Sequence, residues 1–321
     1  MSDLRGRDLL SLADLSPANL DELLVVATGL KRALREGRPH AVLAGRSLAM
    51  LFEKPSLRTR TTFAVGMTQL GGHAVDLGAE HTQMGVRESV PDIARNLERW
   101  VDAIMARVYQ HATLVELATH AKVPVINGLS DLSHPCQVLG DLLTMREQLG
   151  SLRGRRLAYV GDGYNVCNSL ICGGVLVGMH VAVATPAGYD PSPAVVTRGQ
   201  ALARQYGAAL ELHREARAAV RNADVVYTDS WVSMGLEDEA VERRRAFAAY
   251  QVDAALLAEA ARGAIFMHCL PAHRGEEVTD DVLDGPQSVV FDQAENRLHV
   301  QKAVLALTMG GRDVIRGIVG E

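Results

Sequence analysis

The run Ser47-Leu48-Ala49-Met50-Leu51-Phe52-Glu53-Lys54-Pro55-Ser56-Leu57-Arg58-Thr59-Arg60-Thr61-Thr62-Phe63 decides the fold. It opens with six mostly apolar residues, the length of a buried strand. It then crosses a short polar loop and enters a helical pattern. That is one βα unit, and the unit repeats in both directions. Upstream, Ser16-Pro17 followed by Leu20, Leu23, Leu24 and Ala27 reads as a capped amphipathic helix, with Gly37 near its end. Downstream, strands are expected at 73–77, 103–106 and 123–127, with helices near 58–70, 89–100 and 113–120 between them. A long helical pattern over 135–149 ends at the glycines Gly150 and Gly154. A second series then places strands at 156–160, 181–184, 210–213, 225–228 and 265–268, a further strand at 289–291, and helix from Glu295 to about Ile318. Strands alternating with helices imply parallel sheets. The expected fold class is therefore α/β, with two Rossmann-like domains, each a parallel sheet flanked by helices. The expected domains are 1–150 and 151–299, with the helix at 300–321 packing back on the first.

Composition excludes several classes. The chain has 321 residues, 48% hydrophobic and 22% charged, the balance of a globular protein with a sizeable core. A net charge of −5 argues against a broad nucleic-acid surface. No apolar run reaches the roughly 18 residues of a membrane span. The opening MSDLRGRDLL has no signal-peptide apolar region, so a cytosolic protein is expected. Cys136, Cys167, Cys172 and Cys269 form no CxxC pair and fit no structural zinc spacing. No repeat at solenoid spacing and no low-complexity segment occurs.

Ligands of open parallel sheets bind outside the carboxyl ends of the strands. Six expected strands deliver polar residues there: Ser56 to Thr59, Arg107, His134 with Gln137, Gly161 to Asn165, Asp229, and His268 with Cys269. The loop at Ser56-Leu57-Arg58-Thr59 enters a helix, whose first N–H groups and dipole favour an anion. Its hydroxyls and the Arg58 fork suit a phosphate; the bland alternative is a capped helix with solvent-facing arginines. Arg107, His134 and Gln137 form a set able to polarise a carbonyl oxygen, whereas a lone histidine at a helix start is more often a cap. Gly161-Asp162-Gly163-Tyr164-Asn165 resembles a dinucleotide fingerprint only in part. The third glycine position holds Val166, and no ribose-binding acid follows Val183-Ala184-Thr185-Pro186. Asp229-Ser230-Trp231-Val232-Ser233-Met234-Gly235 puts an acid, hydroxyls and a hinge-type glycine in one loop, suited to an ammonium and a carboxylate. Cys269 reads as a nucleophile, a proton acceptor or a packed thiol.

Together FEKPSLRTRTTF, SHPCQVLGD, GDGYN, DSWVSMG, MHCLPAHRGEEVTDDV and FDQAENRLHVQKAV resemble the ornithine carbamoyltransferases, in matching order from about residue 45 to 307. The S-x-R-T-R and H-P-x-Q elements are shared with the aspartate enzymes; the D-x-W-x-S-M-G loop and H-C-L-P are specific to the ornithine branch. The resemblance implies transfer of the carbamoyl group of carbamoyl phosphate to the δ-amine of L-ornithine, giving L-citrulline and phosphate in arginine biosynthesis. It implies no metal and no organic cofactor, and a homotrimer or a multiple of trimers. By the same resemblance Ser56, Leu57, Arg58, Thr59, Gln83, Arg107, His134, Gln137, Cys269, Leu270 and Arg297 would bind carbamoyl phosphate, with Gln83 reaching a neighbouring subunit's site. Asn165, Asp229, Ser233 and Met234 would bind ornithine, and Arg107, His134, Asp229 and Cys269 would carry catalysis. The family commonly has threonine where this chain has Leu57. Leu57 is expected to serve through its backbone N–H, with packing beneath the loop as a second expectation. The rivals are a carbamoyltransferase for another amine, a non-catalytic anion-binding protein, and a nicotinamide oxidoreductase.

Overall fold

The computed structural model describes residues 3–78, 84–233 and 235–319. The chain forms two units, one of residues 1–143 with 295–321 and one of 144–294. The division falls within two helices, Pro135–Leu149 and Val290–Leu305.

The first unit holds a four-stranded parallel sheet in the order β2-β1-β3-β4, with β1 Ser47–Phe52, β2 His73–Gly78, β3 Ala103–Arg107 and β4 Val125–Leu129. The fourth strand starts two residues later than expected: Pro124 has no N–H for the ladder, and the Val125 N–H bonds to Asp8 Oδ1 at 2.8 Å. Residues 48–52 and 103–107 are buried throughout. Such runs give no alternation, because helices cover both faces of a parallel sheet. Ala49, Leu51, Ile104, Ala106 and Val125 pack with Ile93, Leu97, Leu114 and Leu117. Each large side chain so buried contributes about 1.5–3 kcal/mol. Helix α1, Pro17–Arg35, begins as read, with Ser16 accepting from the Asn19 N–H and Pro17 in the first turn. Helix α2, Arg58–Gln69, follows β1.

The second unit is a five-stranded parallel sheet, β7-β6-β5-β8-β9, with β5 Arg156–Val160, β6 His180–Ala184, β7 Ala209–His213, β8 Val225–Thr228 and β9 Ile265–His268. Residues 289–291 are not a strand. Phe266 bonds to Gln287 and Val289 beside β9, and the helix begins at Val290. A three-residue apolar run cannot distinguish a strand from a buried helix entry. The C-terminal helical stretch is likewise broken: α-helix to Leu305, a π turn at Ala306–Gly310, then short turns to Val319.

Each strand order reverses once. In the first unit the chain leaves β1 for β2, then returns to place β3 on the other side of β1. In the second it runs β5 to β7 outward, then returns to place β8 beside β5. Such reversal points open a crevice at the carboxyl ends of the two strands concerned. The loops at 53–57 and 108–110 border one crevice, and those at 161–164 and 229–233 border the other. No helix among the described residues is long and apolar enough to cross a membrane.

Candidate functional site

At the β1/β3 crevice the register sets Phe52 opposite Arg107. Helix α2 begins at Arg58, and Ser56 Oγ accepts from the Thr59 N–H at 3.2 Å, which orders the loop at the helix entrance. Thr59 and Arg107 are buried, and Arg58 is half-buried. Leu57 is 77% exposed, so it does not pack beneath the loop; its carbonyl accepts from the Thr61 N–H at 3.1 Å. Arg60, outside the set read from the sequence, turns away, its guanidinium 4.3 Å over the Phe52 ring and paired with Asp76.

Arg297, 1% exposed, joins this group from the helix at 290–305. Its Nη1 donates to Gln137 Oε1 at 2.5 Å and its Nη2 to Thr59 Oγ1 at 3.1 Å, while Gln137 Nε2 donates to Asp141 Oδ1 at 2.8 Å. Gly140 makes room for it: a Cβ there would sit 3.3 Å from Arg297 Cδ. His134 is buried, and its imidazole is held well below its ordinary range, first by burial, then by Arg297, Arg107 and Arg58. Neutral His134 can donate one N–H to a carbonyl oxygen without adding charge. Cys136 bonds at 3.6 Å to the Asn127 carbonyl, and burial pushes its thiol up to about 12, so it is an inert thiol. Three arginines around a helix N-terminus form a cationic cradle suited to a phosphate dianion.

At the β5/β8 crevice two glycines shape the turn. Gly161 has φ +143°, and a Cβ on Gly163 would lie 2.3 Å from the Pro191 nitrogen. The fingerprint glycines thus serve backbone packing. Asn165 starts the helix Asn165–Leu176 and is buried. Asp229 follows β8, and its Oδ1 accepts from the Ser230 N–H at 2.7 Å and from the Cys269 thiol at 2.8 Å. The His268 N–H donates to Gln293 Oε1, and Gln293 Nε2 in turn donates to Tyr227. His268 Nδ1 accepts from the Leu270 N–H at 2.9 Å, so its proton sits on Nε2 and points to Glu277 Oε1 at 3.1 Å. Leu270 is held at φ +57°, a left-handed conformation that costs about 1–3 kcal/mol in a branched residue. The bond from its N–H to His268 Nδ1 braces it there. Burial alone would raise the Glu277 carboxyl; the bonds from His268 and the His273 N–H outweigh it and hold it below its usual range.

The donor atoms of Asp229, His268 and Cys269 lie within 4.8 Å of one another. An acid, an imidazole and a thiol are ligands zinc takes. Both His268 nitrogens are engaged, however, one accepting a backbone N–H and one donating to Glu277. Asp229 and Cys269 are bonded to each other, while the imidazole is turned to Glu277 and the Leu270 N–H and offers no nitrogen to a cation.

The structure thus gathers Thr59, Arg107, His134, Gln137 and Arg297 with the Ser56–Arg58 loop in the first unit, and Asp229 with Cys269 in the second. Ser233 is half-buried in the loop after β8, where its carbonyl accepts from the Leu236 N–H at 3.0 Å. Gln83 and Met234 lie outside the described residues. Sequence reading missed Glu277, whose acid sits nine residues after its histidine, and Arg243. Arg243 Nη1 donates to Asp162 Oδ2 at 2.7 Å and to the Trp231 carbonyl at 3.2 Å, tying the loop after β8 to the turn after β5. No local spacing signals either contact.

Two family models match. Residues 7–147 match the carbamoyl-P binding domain of aspartate/ornithine carbamoyltransferase, and residues 153–308 match its Asp/Orn binding domain. The chain is 53% identical over 308 residues to ornithine carbamoyltransferase of Pyrococcus horikoshii, covering 96% of this chain and 97% of that one. It is also 53% identical, over 96% of its length and 98% of the relative's, to the anabolic ornithine carbamoyltransferase of Pyrococcus furiosus. The solved structure of the Pyrococcus furiosus ornithine carbamoyltransferase superposes with a TM-score of 0.94 at 52% identity, covering 97% of this chain and 99% of that one. Both halves of the chain are matched in order, and it belongs to the aspartate/ornithine carbamoyltransferase family.

Proposed function

We infer that the chain transfers the carbamoyl group of carbamoyl phosphate to the δ-amine of L-ornithine, releasing L-citrulline and phosphate in arginine biosynthesis. The observation that carries this reading is the buried, neutral His134 set among Arg58, Arg107 and Arg297 at a helix N-terminus. A binder of phosphate alone has no use for a neutral N–H donor buried among three cations. A carbonyl beside a phosphate has use for both.

In this reading Ser56, Leu57, Arg58 and Thr59 hold the phosphate, the second through its backbone N–H. Arg107, His134 and Gln137 hold the carbamoyl end, and Arg297 returns to the phosphate. Cys269 and Leu270 line the carbamoyl and amine region. Asn165, Asp229, Ser233 and Met234 take ornithine's amino-acid end. Gln83 completes the site of a neighbouring subunit in a homotrimer or a multiple of trimers, and the enzyme works in the cytoplasm. Residues 1–150 with the C-terminal helix then serve as the carbamoyl phosphate-binding domain, and 151–299 as the ornithine-binding domain.

The amine must shed a proton before attack, since lysine-like amines titrate near pH ~10.4. The Asp229 carboxylate takes that proton, directly or through the Cys269 thiol, which passes its own proton to Asp229 as it accepts the amine's. The amine nitrogen adds to the carbonyl carbon, and negative charge grows on the carbonyl oxygen beside Arg107, His134 and the Thr59 hydroxyl. The bond from carbon to the phosphate oxygen then breaks, its electron pair leaves on phosphate beside Arg58 and Arg297, and the second proton of the attacking nitrogen passes to that phosphate, leaving the neutral ureido product. No electron transfer occurs. Holding the two reactants together supplies much of the remaining acceleration.

The test is to offer carbamoyl phosphate with L-ornithine, putrescine or N-acetylornithine in turn, and to measure ureido product and phosphate. Citrulline from ornithine, with little product from the other amines, is expected. Product only from another amine would keep the phosphate cradle and overturn the acceptor. No product from any amine, with folded protein, would leave an anion-binding protein.

A further inference from the structure

The helix Val290–Leu305, α3, carries a second buried cation one and a half turns beyond Arg297. Lys302 is fully buried, and its Nζ donates to Gln69 Oε1 at 2.9 Å and to His40 Nε2 at 3.3 Å. Gln69 is the last residue of α2; Thr59, which Arg297 holds, lies in its first turn. At about 1.5 Å per residue α2 is roughly 18 Å long. One helix therefore grips α2 near both ends. The fit is built in: a Cβ on Gly66 of α2 would come within 3.3 Å of Lys302 Cγ, so the lysine stem lies where that glycine leaves room.

We propose that Lys302 is a positioning residue for the phosphate cradle, holding the far end of α2 so that its N-terminus stays aligned on the anion. The proposal rests on reading residues 56–59 as the phosphate site.

The chemistry at the far end fits this role. Helix α2 has no basic residue of its own in its last turn, where the unpaired carbonyls and the negative end of the dipole favour a cation. Lys302 supplies that cation from α3. Both acceptors of its Nζ are neutral: an amide oxygen, and an imidazole nitrogen whose partner Nδ1 is bonded to the Arg38 carbonyl at 2.8 Å. Burial lowers the ammonium to about 8. The charged and titratable neighbours are His40 after α1, Lys31 on α1, and Glu295 and His299 on α3 itself. Lys31 and Glu295 pair at 3.7 Å, and His299 is held down at about 4 and is neutral in the alkaline range. Arg58 and Arg60 sit at the other end of α2. The Lys302 ammonium is thus the contact whose loss falls between neutral and alkaline pH.

The test measures inorganic phosphate binding by calorimetry at pH 7 and pH 9.5 for the wild-type protein, Lys302→Arg and Lys302→Met. The ligand's own ionisation is common to all three and cancels in the comparison. Wild type should lose roughly three- to tenfold more affinity than Lys302→Arg across this range, the size of effect one charge has at a helix terminus. Lys302→Met should bind weakly at both pH values. An identical alkaline loss in wild type and Lys302→Arg overturns the proposal, and so does a Lys302→Met protein that binds like wild type at pH 7. The arginine comparison decides the matter even where the methionine variant does not fold. A wild-type protein that binds no phosphate at pH 7 fails in a different way, since it removes the phosphate site itself.

Discussion

The two crevices share a backbone plan and differ in charge. Each lies where a parallel sheet reverses its strand order, and each receives loops from two neighbouring strands. The first gathers arginines around a helix N-terminus with a neutral imidazole among them. The second offers a carboxylate that accepts from a thiol, braced by a buried histidine–glutamate pair. The fold supplies the position, and a few side chains decide whether the crevice is lined by cations or by a carboxylate and a thiol.

The largest effect that tests this contrast is at Arg107. Arg107→Met should lower citrulline turnover by about 10²–10³, the usual loss for one donor to a developing oxyanion, while the KM for ornithine moves by less than about threefold. A large change in that KM would mean the two crevices are not chemically separate. Asp229→Asn should act from the other side, lowering turnover by about 10² as a lost proton acceptor does. Phosphate affinity, read by calorimetry, should hold; a matching fall in it would collapse the distinction.

Acid stability offers a third comparison, with opposite signs in the two units. Burial, followed by Lys302, holds His299 of the first unit at about 4, against an ordinary 6.5. The folded form stays neutral where the unfolded chain takes a proton. Its contribution is present above pH 6.5 and is lost as pH falls toward 4. Burial raises Asp162 of the second unit to about 6 from an ordinary 3.8, against the pull of Arg243. Its contribution is present below pH 3.8 and is lost as pH rises through 6. Urea unfolding between pH 4 and 6.5 should show Asp162→Asn gaining on wild type as pH rises and His299→Gln losing ground. Each slope is bounded by about 1.4 kcal/mol per pH unit. Tilts of the same sign would refute the assignment. The smallest effect belongs to Leu57, which is 77% exposed. Leu57→Thr should change stability by no more than about 0.5 kcal/mol and phosphate affinity by less than about twofold; a larger gain would show that the missing hydroxyl matters.

The strands were legible because both sheets are parallel and buried, so each reads as a short apolar run closed by polar residues. Ser47 to Phe52 followed by Arg58 is the clearest case. The reading failed where that signal is ambiguous. Val289, Val290 and Phe291 look like a strand because residues 287–289 do run beside β9 before the chain turns into helix. Packing of Leu57 beneath the loop, the second expectation for that residue, fails because the helix entrance places it outward. Of the site, residues at strand ends could be placed by order alone. Glu277, Arg243 and Lys302 could not, because each acts on a partner that only the tertiary fold brings near.

The first unit is built from both ends of the polypeptide, with the Gly6 N–H bonded to the Thr308 carbonyl and Arg312 paired with Glu22. This has a consequence during synthesis. All four strands of its sheet have left the ribosome long before residue 297 is translated, yet Thr59 and Gln137 have no Arg297 to bind until the final tenth of the chain emerges. Throughout translation of the entire second unit the nascent first unit lacks the Arg297 bonds to Thr59 and Gln137. A chain truncated before residue 297 is left without the guanidinium that makes them.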